Sequence, residues 1–161
     1  MHVPLIDLKQ RYIEEKDDII NIIDQTLTKG NLVLTPEIND FENDICKFVG
    51  SQNCVTLNSG TDALMMSLWA AGIKKGDEVI TSPISFVATI GAIIHVGAKP
   101  VFVDVCDDLN INPDLIESKI NEKTKAIIPV HWTGRVCKMD KIIDIAKKNN
   151  LIVIEDSAQA M

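Results

Sequence analysis

Residues 76–105, GDEVITSPISFVATIGAIIHVGAKPVFVDV, carry the pattern that decides the fold. A short apolar run at Glu78–Thr81 gives way to a polar break and then to a longer apolar segment at Phe86–His95. Gly97 follows, and a second short run occupies Pro100–Val105. Short runs of this kind suit buried strands and the longer segment suits a helix. Gly97 stands where a left-handed helix stop costs little. Strand, helix and strand in such close succession imply a right-handed crossover between two parallel strands.

The alternation continues on both sides. Cys54–Leu57, Ala126–Val130 and Leu151–Ile154 read as further buried strands. Thr61–Ala71, Pro113–Ile120 and Met139–Asn149 read as helices, with Gly72 at a second C-cap. The expected architecture is α/β: three layers, α/β/α, around a mostly parallel sheet covered on both faces. Upstream, the pattern is purely helical. Ile13, Ile19, Ile20, Ile23 and Leu27 recur at helical spacing over Tyr12–Leu27, with Gly30 and Asn31 as the stop. A second helix has Thr35 as candidate N-cap and Pro36 at its first position. Its apolar face is Ile38, Phe41, Ile45 and Phe48, and Gly50 ends it.

Composition narrows the function classes. The chain has 161 residues, 46% hydrophobic and 24% charged, the balance of an ordinary globular protein with one sizeable core. A net charge of -7, with only Arg11 and Arg135 as arginines, argues against nucleic-acid binding, which needs clustered basic residues. Cys46, Cys54, Cys106 and Cys137 are too widely spaced for zinc or redox motifs and read as free thiols of a reducing cytoplasm. The stretch from Met1 to Asp7 has no signal-peptide pattern, and no apolar run approaches the ~20 residues of a membrane helix. A cytoplasmic location is expected. Asp107 and Asp108 have no third ligand nearby, so no metal is expected and the pair reads as a solvated loop.

Ligands of open parallel sheets bind beyond the carboxyl ends of the strands, so the residues just after each run matter most. After the first come Asn58, Ser59, Gly60 and Thr61, opening a helix. Gly60 permits close approach, and free amides at a helix start attract an anion, with Ser59 and Thr61 adding hydroxyls. The same residues also make a plain N-cap. Neither the Walker A pattern nor the dinucleotide fingerprint is present. After the last run come Glu155, Asp156, Ser157, Ala158 and Gln159. A carboxylate there can pair with a protonated ring nitrogen, and Gln159 can hydrogen-bond a ring oxygen. Asp156 or Ser157 can equally cap a following helix. After Thr81, Phe86 can stack on a flat ring or simply fill core. His131 reads as a base or as a hydrogen-bonded structural residue, and Arg135 as a phosphate contact or a surface charge.

In their order and spacing these features resemble the DegT/DnrJ/EryC1/StrS family of pyridoxal-phosphate (PLP) dependent sugar aminotransferases, within the fold-type-I enzymes. The matching stretches are 3–8, 36–42, 58–64, 76–81, 85–89, 97–104, 124–131 and 155–159. The resemblance implies that residues 1–161 are the N-terminal part of the PLP-binding large domain, with its opening helices at about 11–50 and the small C-terminal domain absent. It implies that Gly60 and Thr61 bind the cofactor phosphate and that Phe86 stacks on the ring. Asp156 would pair with the pyridine nitrogen, and Gln159 would contact the ring hydroxyl. It further implies a homodimer that moves an amino group from an amino acid such as glutamate onto a nucleotide-linked keto-sugar, in amino-sugar and polysaccharide biosynthesis. The family's Schiff-base lysine is expected downstream of Met161, which would leave these residues alone without transaminase activity. Alternatives are a sugar dehydratase of the same family and a catalytically silent fragment. The sequence departs from the family pattern at Thr35, at Trp132-Thr133 and at Val136-Cys137, which bears on the sugar pocket and subunit contacts rather than on the cofactor residues.

Overall fold

The computed structural model describes Pro4, residues 6–30 and residues 32–160. The chain forms two compact units, Met1–Thr56 and Leu57–Met161.

The first unit is helical. α1 spans Leu8–Lys29 and starts four residues earlier than the apolar periodicity indicates, because Asp7 caps it by accepting from the Gln10 amide at 2.9 Å. Gly30 ends it at φ 71°, and the Gly30 amide donates to the Leu27 carbonyl. Asn31, the other expected stop residue, lies outside the described residues. α2 spans Pro36–Val49, with Pro36 in its first turn and Gly50 at φ 73° after it. Thr35 holds the N-cap position with extended backbone but makes no side-chain capping bond. The expected strand at Cys54–Leu57 is not one. The Thr56 amide and hydroxyl both donate to Glu42 Oε1, at 2.8 and 2.9 Å, so a side chain of α2 takes the donor that a ladder would need. Val55 is correspondingly exposed.

The second unit is the α/β body. Its strands are β1 (Glu78–Thr81), β2 (Lys99–Phe102), β3 (Thr124–Ile128) and β4 (Ile152–Val153), all parallel, in the order β2-β1-β3-β4. β1 coincides with its apolar run, β3 starts two residues before its run, and β2 and β4 are shorter than theirs. The helices are α3 (Gly60–Ala70), α4 (Val87–His95), α5 (Pro113–Ile116, continuing as a 3-10 turn through Lys119) and α6 (Met139–Lys148).

Strand side chains alternate between faces, which explains the two separate cores. Val79, Ala126 and Ile128 pack with Leu64 and Leu68 of α3 and with Ala92 and Ile93 of α4. Ile80 and Ile127 point the other way, onto Ile116 of α5 and Ile142 and Ala146 of α6. Each fully buried aliphatic side chain is worth roughly 1.5–3 kcal/mol of removal from water. The body is therefore three layers, α/β/α, as the sequence pattern implies. The strand order reverses direction between β1 and β3, and the carboxyl ends of these strands flank the crevice where such sheets take ligands.

Candidate cofactor site

That crevice is a cavity of about 380 Å³. Gly60, Thr61, Phe86, Asp156 and Gln159, the five residues singled out from the sequence, all line it, together with Ser85, His131 and Trp132.

One wall is the start of α3. Ser59 caps the helix: its Oγ accepts from the Asp62 amide at 3.1 Å, and its carbonyl accepts from the Ala63 amide at 3.0 Å. The Gly60 and Thr61 amides precede these and have no intrahelical acceptor by position, so the positive helix end faces the cavity. A Cβ built on Gly60 would meet no protein atom within 4 Å, and its backbone is not left-handed. Neither crowding nor conformation within the protein calls for glycine there.

The opposite wall is the end of β4. Beyond its two residues, pairing with β3 resumes at an isolated parallel bridge between Val130 and Asp156. The Asp156 amide donates to Pro129 O at 2.9 Å, and the His131 amide donates to Asp156 O at 3.1 Å. The backbone of Asp156 is thereby fixed, and its buried carboxylate is held from two sides. Thr89 Oγ1 donates to Oδ2 at 2.6 Å, and the Ala158 amide approaches Oδ1 at 3.3 Å. Gln159 is also oriented. Its Oε1 accepts from the Thr133 amide at 2.8 Å, which leaves the Nε2 hydrogens as the free donors. Thr133 itself lies at φ 57°, ψ 25°, within a turn completed by Gly134 at φ 82°.

Phe86 is the N-cap residue of α4 rather than its first helical residue, and it is 70% exposed. It is not core. Its ring stands available at the cavity, the outcome that stacking on a ligand requires.

Of the two readings of His131, the structure supports the hydrogen-bonded one. The ring is buried, the Cys137 amide donates to Nδ1 at 3.2 Å, and the ring proton therefore sits on Nε2, 2.8 Å from Glu155 Oε2. Neither nitrogen is left for a substrate. The neighbouring Cys137 thiol, pushed up to about 11 by burial, donates to Val130 O at 3.3 Å. Arg135 is exposed and does not line the cavity. No lysine among the described residues lines it either. Lys99 lies at the amino end of β2, paired with Glu78 at 3.0 Å. Asp108 stays in its loop and accepts from the Asn110 amide at 3.1 Å.

Ser85, Thr89 and Thr133 lie in stretches that the sequence singles out, but their hydrogen bonds to one another, to Asp156 and to Gln159 were not foreseen. A hydroxyl one turn into an apolar helix carries no signal until the strand end it touches is known.

The arrangement suits a small, flat ligand with a cationic edge and an anionic tail. Comparison with known proteins gives it a family. Residues 13–161 match the model of the DegT/DnrJ/EryC1/StrS aminotransferase family. The chain belongs to that family. It is 41% identical over 159 residues to the UDP-2-acetamido-2-deoxy-3-oxo-D-glucuronate aminotransferase of Pseudomonas aeruginosa, covering 98% of this chain and 44% of that relative. Among solved structures, it superposes on S. venezuelae DesV in complex with a ketimine intermediate with a TM-score of 0.95 and 36% identity, over 98% of this chain and 43% of that one. NtdA from Bacillus subtilis with bound cofactor PMP gives a TM-score of 0.90 and 37% identity, over 92% and 34%. The chain spans less than half the length of the curated relatives it matches.

Proposed function

We propose that this chain forms the cofactor-holding part of a PLP-dependent aminotransferase acting on a nucleotide-linked keto-sugar. The observation that carries the reading is the sharing of one cavity by a buried carboxylate, Asp156, and the free amides of a glycine-led helix start. On this reading residues 1–161 belong to the large, PLP-binding domain, and the lysine that bears the cofactor is supplied by sequence beyond residue 161. The relatives' names support the sugar-nucleotide substrate class. An amino-acid donor such as glutamate and a homodimeric state are what the family resemblance implies, and a cytoplasmic location is what the widely spaced cysteines suggest.

When bound, PLP supplies an electron sink for the carbon that gains or loses the amino group. The chain's own residues prepare that sink. The Gly60 and Thr61 amides, with the Thr61 hydroxyl, hold the phosphate through the helix dipole. Phe86 covers one ring face and excludes water from it. Asp156, immobilised by Thr89 and Ala158, holds a proton on the pyridine nitrogen through opposite charge at close range. The Gln159 amide hydrogens, aimed by Thr133, donate to the ring oxygen.

The test is Asp156→Asn in the whole enzyme. Turnover should fall by roughly a hundredfold or more, as when a charge-stabilising group is lost from an active site, with the circular-dichroism spectrum unchanged. Near-normal turnover would refute the assignment.

A further inference from the structure

Thr89 lies in the first turn of α4, fully buried, and its hydroxyl makes two short contacts. Oγ1 donates to Asp156 Oδ2 at 2.6 Å and stands 2.6 Å from Ser85 Oγ. An ionised carboxylate has no proton to give. While Asp156 is charged, the single proton of Thr89 therefore goes to Oδ2, and the proton of the Ser85–Thr89 bond comes from Ser85. The chain runs one way: Ser85 to Thr89 to Asp156.

Resting on the reading of Asp156 as partner of a protonated ring nitrogen, we propose that Thr89 is a positioning residue that keeps Asp156 an oriented anion. Through Thr89, the same charge turns Ser85 into a residue that offers only lone pairs to the cavity it lines. Two features favour this over a purely structural hydroxyl. Oγ1 reaches out of its helix to the segment after β4, where it makes the shortest contact to the carboxylate. Oδ2 in turn takes its hydrogen bond from this hydroxyl, while the other oxygen has only the longer contact to Ala158.

Replacing the hydroxyl disfavours charge on Asp156 and lets the proton shared with the ring nitrogen move to the carboxylate. Holoenzyme loaded with PLP carrying nitrogen-15 in its ring reports that proton by NMR at neutral pH. Thr89→Val should move the nitrogen resonance toward the unprotonated value and weaken PLP binding by about tenfold, the scale of one hydrogen bond to a charged group. Thr89→Ser should retain the wild-type resonance. A wild-type resonance in Thr89→Val overturns the proposal. So does an equal change in Thr89→Ser, which would mean that bulk rather than the hydroxyl matters. Should Thr89→Val fail to fold, Ser85→Ala carries the test: the shift should go the same way and be smaller, and no shift overturns the one-way chain. Asp156→Asn distinguishes the levels. If it leaves the nitrogen protonated, the reading of Asp156 falls and this inference with it. If it removes the proton while Thr89→Val does not, only the role of Thr89 falls.

Discussion

Thr133 donates its amide to Gln159 from a backbone at φ 57°, a left-handed conformation that a β-branched side chain resists. The strain is on the order of 1–2 kcal/mol. Asparagine tolerates this region, so Thr133→Asn should relieve the strain without touching the amide that orients Gln159. An increase of about 2–4 °C in the melting temperature of the cofactor-free protein is expected. A lower or equal value would mean that the Thr133 hydroxyl, which donates to Trp132 O at 2.7 Å, outweighs the strain. None of this is visible in the sequence, where Trp132-Thr133 reads only as a departure from a familiar pattern. Phe86, Asp156 and Gln159 were legible as cavity residues because each follows an apolar run that forms a strand, and strand ends converge by topology; Gly60 and Thr61 follow a run that is no strand and reach the cavity as the start of α3. The groups that aim them were not, because an aiming contact joins residues distant in sequence, such as Thr89 and Asp156.

Elements obeyed the same division. Helix and strand positions followed apolar periodicity, while boundaries followed hydrogen bonds. Cys54–Leu57 has the composition of a strand, yet Glu42 claims the Thr56 donor. At the amino ends of β1 and β2, Glu78 is buried between Asn121 Nδ2 at 2.7 Å and Lys99 Nζ at 3.0 Å. These hydrogen bonds, that from Asn121 foremost, hold its carboxyl below the ordinary value of 4.5. The linkage has a definite sign. A folded-state pKa below the unfolded one gives stability that is complete above the unfolded value, and that is lost as pH falls through the folded one. Glu78→Gln should therefore remove part of the protein's acid sensitivity. Urea midpoints measured from pH 7 down to pH 3 should converge between variant and wild type on the acid side. A constant gap would assign the loss to packing.

For the whole molecule, the parallel three-layer body was legible because a repeated strand–helix pattern leaves few ways to bury two sheet faces. The change from a helical opening to an α/β body was legible too, in the shift of apolar pattern after Gly50; what covers α1 and α2 was not, since apolar spacing says which face wants cover and not what covers it. The family likeness extends across both units.

Asp156 hangs from the edge of the sheet, where its amide and that of Ile154 hold the Pro129 and Ile127 carbonyls at 2.9 and 3.0 Å. Edge amides open more readily than central ones, so those of Ile154 and Asp156 should exchange with deuterium sooner than those at the centre of β1 or β3. A ligand that grips both the carboxylate and the α3 terminus would act as a clasp across that seam, because it binds only the closed form. Loading the cofactor-free enzyme should slow exchange at residues 154 and 156 while the sheet centre keeps its own rate; equal rates with and without cofactor would show a seam already shut. On the proposed reading of Asp156, the cofactor would then be part of what completes the sheet, and protein starved of it would loosen first at that carboxylate.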